Sequence, residues 1–153
     1  MLFVYGTLQD PDVLGAVLGR PVDLSRLEAA TAPGYRAVFY PGRVYPALIR
    51  APDTAARGLV VADLSPLDLA VLDAFEGDEY RREAIMIRVG GEQLLLDTYL
   101  PAIPIASAPD WSLATWTALH KPAVIGQETG TAQALRQRLS ARQAGYRHDF
   151  VHC

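Results

Sequence analysis

Cysteine is almost missing from this chain of 153 residues: there is one, Cys153, and it is the last residue. No internal disulfide can form, so nothing implies an oxidising compartment, and a thiol at a loosely held terminus is a poor nucleophile. Long apolar runs are missing as well, which excludes a helix crossing a membrane. The opening Met-Leu-Phe-Val-Tyr-Gly lacks the positively charged start of a signal peptide and reads as a strand. Basic runs are absent, and the formal net charge is −3 with a pI of about 5.5. A nucleic acid or an anionic membrane therefore gains no electrostatic support as a partner. The chain has no G-x-S-x-G elbow, Walker loop or G-x-G-x-x-G fingerprint, so a serine nucleophile and nucleotide cofactors are unsupported. His120, His148 and His152 have no metal-ligand spacing, and the crowded His148–Cys153 end reads as a frayed tail. These absences point to a cytoplasmic protein working without metal or cofactor.

What is present is ordinary in amount and informative in order. Half of the residues are hydrophobic and a fifth are charged, enough for one domain with a real core. Leu2 to Tyr5 is a short apolar run stopped by Gly6, as in a buried strand. Asp10 caps a following helix with Pro11 in its first position, and Gly19 ends it. Ala29 to Ile49 alternates aromatic and aliphatic residues with Gly34, Pro41, Gly42 and Pro46, which predicts short strands with bends. Gly58 to Leu64 is a further strand. Ser65-Pro66-Leu67-Asp68 opens a helix with a shortened capping box, and Gly77 closes it. Arg81–Val89 and Glu92–Leu100 flank Gly90-Gly91 and predict a tight hairpin. Helices are expected over Trp111–Leu119, capped by Asp110, and over Thr131–Ala141, with Arg136, Arg138 and Arg142 on a solvated face. Hairpins mixed with a few helices predict an α+β domain with a sheet curled into a barrel-like core. The domain spans 1–153, with a helical extension from about 101.

Two places could carry chemistry. In Tyr5-Gly6-Thr7-Leu8, a strand stops at glycine just before a helix. Such a turn either only reverses the chain or offers successive N–H groups to an anion. In Phe75-Glu76-Gly77-Asp78-Glu79-Tyr80, a carboxylate stands at a helix C-terminus, where the macrodipole disfavours it. Glu76 could sit at the edge of the core with a raised pKa suited to proton transfer, or could join Asp78 and Glu79 in an acidic solvated loop. Position alone does not separate Glu76 from Glu79. Tyr80 either lines a pocket or packs beside Phe75, and Tyr45 and Tyr99 have the same two readings. Arg81 and Arg82 read as surface ion pairs.

The combination is more specific than its parts. FVYGTL at the start, LDAFEGDEYRRE about seventy residues later and YPAL at Tyr45 to Leu48 resemble the gamma-glutamylcyclotransferase-like family over Leu2 to about Leu100. The resemblance implies a small mixed fold with a curled sheet. It implies cleavage of a gamma-glutamyl amide by the substrate's own alpha-amine, releasing 5-oxoproline and a free amine. It further implies that backbone N–H groups of Gly6, Thr7 and Leu8 hold the glutamyl carboxylate, that Tyr5 lines the pocket and that Glu76 is the catalytic acid/base; Tyr80 is a further substrate-binding candidate from its position alone. Such chemistry needs no metal, because the substrate carries its own nucleophile and one carboxylate can move the proton. Two alternatives share the fold: a module that only binds a small carboxylate, and an amide hydrolase using water. The aromatic residues around Tyr45, Tyr80 and Tyr99 favour a partly apolar leaving amine. Pro101 to Trp116 is expected to cover the pocket or a partner subunit.

Overall fold

A computed structural model describes the backbone of residues 1–151 and the side chains of 1–144. The His148–Cys153 reading lies outside the described side chains. The strands are β1 (Leu2–Val4), β2 (Glu28–Phe39), β3 (Pro46–Val61), β4 (Tyr80–Val89) and β5 (Glu92–Pro101). The helices are α1 (Pro11–Leu18), α2 (Pro66–Glu76), α3 (Leu113–Leu119) and α4 (Lys121–Val151).

The strands close into a barrel in the order β1-β3-β2-β4-β5, with β1 antiparallel to β3 and parallel to β5. The alternation of β1 divides its side chains between two cores. Phe3, with Tyr5 just beyond the strand, joins Ala32, Leu48, Ile87 and Leu96 inside the barrel. Leu2 and Val4 point the other way and pack with Val13, Leu14 and Val17 of α1, Val71 and Leu72 of α2, and Trp116 of α3. β1 is thus the wall shared by barrel and helices, and the chain leaving its C-terminal end must emerge between them.

The sequence signals at the ends of α1 and α2 hold in detail. Asp10 accepts from the N–H groups of Asp12 and Val13 at 3.0 and 3.2 Å. Ser65 and Asp68 form the reciprocal capping box at the start of α2, a device worth about 1 kcal/mol. Gly77 ends α2 at φ 67°, a backbone conformation that residues with a Cβ rarely adopt. The chain therefore turns immediately after Glu76.

Four expectations are corrected. The segment Ala29–Ile49 does break at Pro41 and Gly42, between β2 and β3, but its first part is one long strand, β2, with only a bulge between Pro33 and Tyr35; the irregularity that Gly34 signals is local. The strand expected over Gly58–Leu64 is only the last four residues of β3, which ends at Val61. Ser112, not Asp110, caps α3 by accepting from the Thr115 N–H, while Asp110 forms an isolated bridge with Val38. Finally, α4 begins at Lys121 rather than Thr131. Arg138 and Arg142 are exposed as expected, but Arg136 is only partly so. It donates to the Val17 carbonyl at 3.1 Å and to Asp68 at 2.9 Å, so it fastens α4 across α1 and α2.

Candidate active site

A cavity of about 310 Å³ opens where β1 runs out. Its wall includes Tyr5, Gly6, Thr7 and Leu8 from the turn after β1, and Phe75, Glu76, Glu79 and Tyr80 around the end of α2. The structure therefore brings together all six residues singled out in the sequence: Tyr5, Gly6, Thr7, Leu8, Glu76 and Tyr80. Tyr45 and Tyr99 join them.

After β1 the chain tightens at once into a 3-10 turn over Thr7–Gln9, in which Gln9 and Asp10 donate to the carbonyls of Gly6 and Thr7. Thr7 and Leu8 are the first two residues of this turn, so their N–H groups have no acceptor within it. Gly6 is required for a steric reason: a Cβ there would lie 2.8 Å from Pro46 Cγ. Its φ of −117° is open to any residue. The glycine lets the turn pass close to the start of β3.

Glu76 is the last residue of α2. Its side chain keeps some exposure because the cavity reaches it, yet its carboxyl lies deep among protein atoms. Desolvation pushes its pKa up to about 8, with the charges of Glu128 and Glu79 adding to the rise. Glu79 lies three residues on and is treated differently. It accepts from Tyr45 at 2.6–2.7 Å and pairs with Arg43 at 3.3 Å. Both glutamates line the cavity, and their neighbours distinguish them: the Glu79 carboxylate is bonded to Tyr45 and Arg43, while Glu76 makes no ion pair among the described residues.

The tyrosines build the remaining wall. Tyr5 is buried and donates to the Tyr99 carbonyl at 2.6 Å, and burial raises its pKa. Tyr80 donates to the Pro46 carbonyl at 2.5 Å and stacks edge-on to Tyr40. It both packs and lines the cavity. Tyr99 donates to Asp73 at 2.7 Å. These bonds hold the rings in place and leave their faces and edges as lining. Arg82 pairs with Asp73 and Asp97 at 2.9 Å and Arg81 with Glu83 at 3.5 Å, the surface pairs expected of them.

One wall was not foreseen. Val124, Gln127, Glu128 and Thr131 of α4 line the cavity, spaced as one helical face. Glu128 is partly buried, and desolvation raises its pKa. The available signal was Pro122, a first-turn residue. Gly126 and Gly130 weaken the helical pattern that follows it. The segment from Pro101 to Trp116, expected over the pocket, contributes no lining residue there. It lies along β2 instead, where Phe39 donates to the Pro109 carbonyl and Trp111 to that of Ala37.

The sequence model of the gamma-glutamyl cyclotransferase, AIG2-like family matches residues 2–131. The chain belongs to that family. The match runs from the first residue of β1 to the last α4 residue that lines the cavity. Among the relatives of this family member, AIG2-like protein A of Arabidopsis thaliana is 33% identical over 129 residues, covering 81% of this chain and 76% of that protein. The solution structure of At5g39720.1 from Arabidopsis thaliana superposes with a TM-score of 0.61 at 31% identity, covering 82% of this chain and 85% of the other. That of At3g28950.1 from the same plant gives 0.62 at 23% identity, over 82% and 77% of the two chains, a likeness of fold alone. The α+β, barrel-like fold expected from the sequence is thus the observed one. Among the described residues, no helix is long and apolar enough to cross a membrane, and no cluster of His, Cys, Asp and Glu could hold a metal ion.

Proposed function

We propose that this chain is a cyclotransferase that cleaves a gamma-glutamyl amide, releasing 5-oxoproline and a free amine. The observation that carries the reading is Glu76: a desolvated carboxyl facing the cavity, with a pKa of about 8, opposite a turn whose N–H groups suit a carboxylate.

The step balances with one proton carrier. The alpha-nitrogen of the substrate forms a bond to the gamma-carbonyl carbon, and the bond from that carbon to the leaving nitrogen breaks. Glu76 takes the proton from the attacking nitrogen and delivers it to the departing one. A carboxyl with a pKa near the working pH suits both halves of this transfer, since neither form is strongly disfavoured. The N–H groups of Thr7 and Leu8, with that of Gly6, hold the alpha-carboxylate and so set the amine against the carbonyl, an orientation worth several kcal/mol. Tyr5 and Tyr80 enclose the glutamyl chain. The chain's lack of disulfide-forming cysteine fits a cytoplasmic setting.

The test is 5-oxoproline release from a small panel of gamma-glutamyl amides by wild type and Glu76→Gln. Release that vanishes in the variant is the expected result. A variant that keeps most of its activity would move the proton transfer to another group.

A further inference from the structure

The charges around the cavity do not balance. Its lining carries three carboxylates, Glu76, Glu79 and Glu128, and no lysine, arginine or histidine. Glu79 is compensated from behind by Arg43. Among the described residues, no basic side chain lies within ion-pair distance of Glu76 or Glu128. A partly buried carboxylate without a cation is costly, and in a binding cavity the missing cation is one the ligand brings.

The gamma-glutamyl half of a substrate cannot supply it. That half is a zwitterion, and its ammonium is matched by its own carboxylate. The ammonium must also become a neutral amine before it can attack. A second carboxylate fixed beside it would hold the proton on and oppose the reaction. Glu76 already serves that nitrogen. Glu128 stands on a different element, on an α4 face that adds Gln127 and Thr131 as polar neighbours. Tyr45 and Tyr80 border the same space, with ring centroids 6.2 Å apart, and tyrosine faces attract cations.

Resting on the cyclotransferase reading, we infer that Glu128 is a specificity residue that receives a positive charge carried by the leaving amine, beyond the nitrogen that is released. The preferred substrates are then gamma-glutamyl conjugates of amines with a second group that is cationic at neutral pH. The rings that suggested a partly apolar leaving amine suit the hydrocarbon stem of such a group.

The α4 wall is fixed firmly enough to select. Lys121 pairs with Asp10 and Asp12 at 2.7 and 2.8 Å at one end of the lining stretch. Arg136 pairs with Asp68 at 2.9 Å just beyond the other.

The experiment compares the gamma-glutamyl conjugate of a short diamine with its isostere in which a methyl group replaces the terminal ammonium. Wild type should prefer the diamine conjugate by about tenfold or more in kcat/KM, as expected for a charged partner. In Glu128→Gln that ratio should collapse toward unity. Glu128→Lys should turn it over in favour of a conjugate ending in a carboxylate. A ratio near unity in wild type, or one that Glu128→Gln leaves intact, would overturn the assignment. So would an equal loss for both conjugates, which would place Glu128 at the glutamyl ammonium. Calorimetric affinities of the same conjugates, measured on wild type and Glu128→Gln, decide the matter separately from turnover. Failure of wild type to release 5-oxoproline would count against the reaction, whereas loss of discrimination in binding counts against Glu128.

Discussion

The two ends of α2 each hold a carboxylate away from bulk water, and the protein treats them in opposite ways. At the N-terminal end, Asp68 is 1% exposed. It receives the Ser65 N–H at 3.0 Å, Arg20 at 3.0 Å and Arg136 at 2.9 Å. These donors outweigh its desolvation and hold its pKa well below the usual carboxylate range. At the C-terminal end, Glu76 faces the cavity with no such donors, and desolvation carries its pKa up to about 8. Desolvation pushes both groups the same way, so the donors decide the outcome. A carboxylate committed to structure is surrounded by cations and N–H groups. On the proposed mechanism, the one that exchanges a proton is left open to the cavity.

Removing Glu76 has the largest expected effect. Glu76→Gln should lower kcat by about 10²–10⁴-fold, the usual worth of a positioned acid/base, while the fold survives. The two ends should also respond to pH with opposite signs. Glu76 has a folded pKa of about 8 against an ordinary value of 4.5. Between those pH values the unfolded chain has released this proton and the folded chain has kept it, so stability falls as pH rises from about 4.5 to about 8. Glu76→Gln should abolish that slope, and its Tm should exceed that of wild type above pH 8 but match it near pH 4.5. Thermal melts across this range check the sign. A wild type whose Tm is flat from pH 5 to 8 would mean that the Glu76 carboxyl is not desolvated.

Asp68→Asn sharpens the contrast from the other end. It leaves two guanidiniums facing a neutral amide, and should cost about 2–3 kcal/mol, less than the roughly 3–5 kcal/mol for breaking a fully buried pair because Arg20 is half exposed. The folded pKa of Asp68 lies below the ordinary 3.8. Its contribution is therefore fully present above that value and is lost as pH falls through the folded one. Wild type should lose its advantage over Asp68→Asn in strong acid, as urea unfolding at neutral and acidic pH would reveal. A constant difference at every pH would remove the ion pairs from the account.

Much of this contrast was legible in residues that make local signals. Asp10, Ser65, Asp68 and Gly77 act within four residues of themselves, and caps of that kind are written in sequence. Tyr5 to Leu8 and Phe75 to Tyr80 stood out for the same reason: each is an abrupt stop between elements. The choice between Glu76 and Glu79 was legible through the family resemblance and not through position, because its physical basis lies in Tyr45 and Arg43, more than thirty residues away. Nor was the second use of Asp68. A capping-box acid satisfies its helix locally, and nothing near it announces that Arg136 will arrive from α4. The wall formed by Val124, Gln127, Glu128 and Thr131 was hidden by Gly126 and Gly130, whose low helix propensity is overridden when the helix packs on α1 and α2.

Arg136→Met tests whether the structural end of α2 reaches the functional one. The methionine keeps much of the stem's packing and removes the bonds to Asp68 and the Val17 carbonyl. Arg20 still compensates Asp68, so the cost should be about 1–2 kcal/mol, smaller than for Asp68→Asn. If α4 is held over the cavity by this pair, KM should rise several-fold while kcat changes little, because the wall loosens and Glu76 stays in place. A fall in kcat at constant KM would instead mean that Arg136 acts on the reacting groups.

The smallest effect should come from Glu79→Gln, and its smallness is the point. Glu79 lies three residues beyond Glu76 and lines the same cavity, so a mechanism that needed only a nearby carboxylate could use either. Its oxygens, however, are occupied by Tyr45 and Arg43. A carboxylate held by two donors is not free to turn toward a substrate. The substituted amide would still accept from Tyr45, so kcat should fall by less than about tenfold, against the 10²–10⁴-fold expected for Glu76→Gln. A second consequence comes from charge alone. Glu79 adds to the upward push on Glu76, so the rising limb of kcat/KM against pH, set near 8 by Glu76, should move to lower pH in the variant. A limb that stays fixed would mean that the charge of Glu79 is already cancelled by Arg43, leaving Glu128 and burial as the causes of the raised pKa.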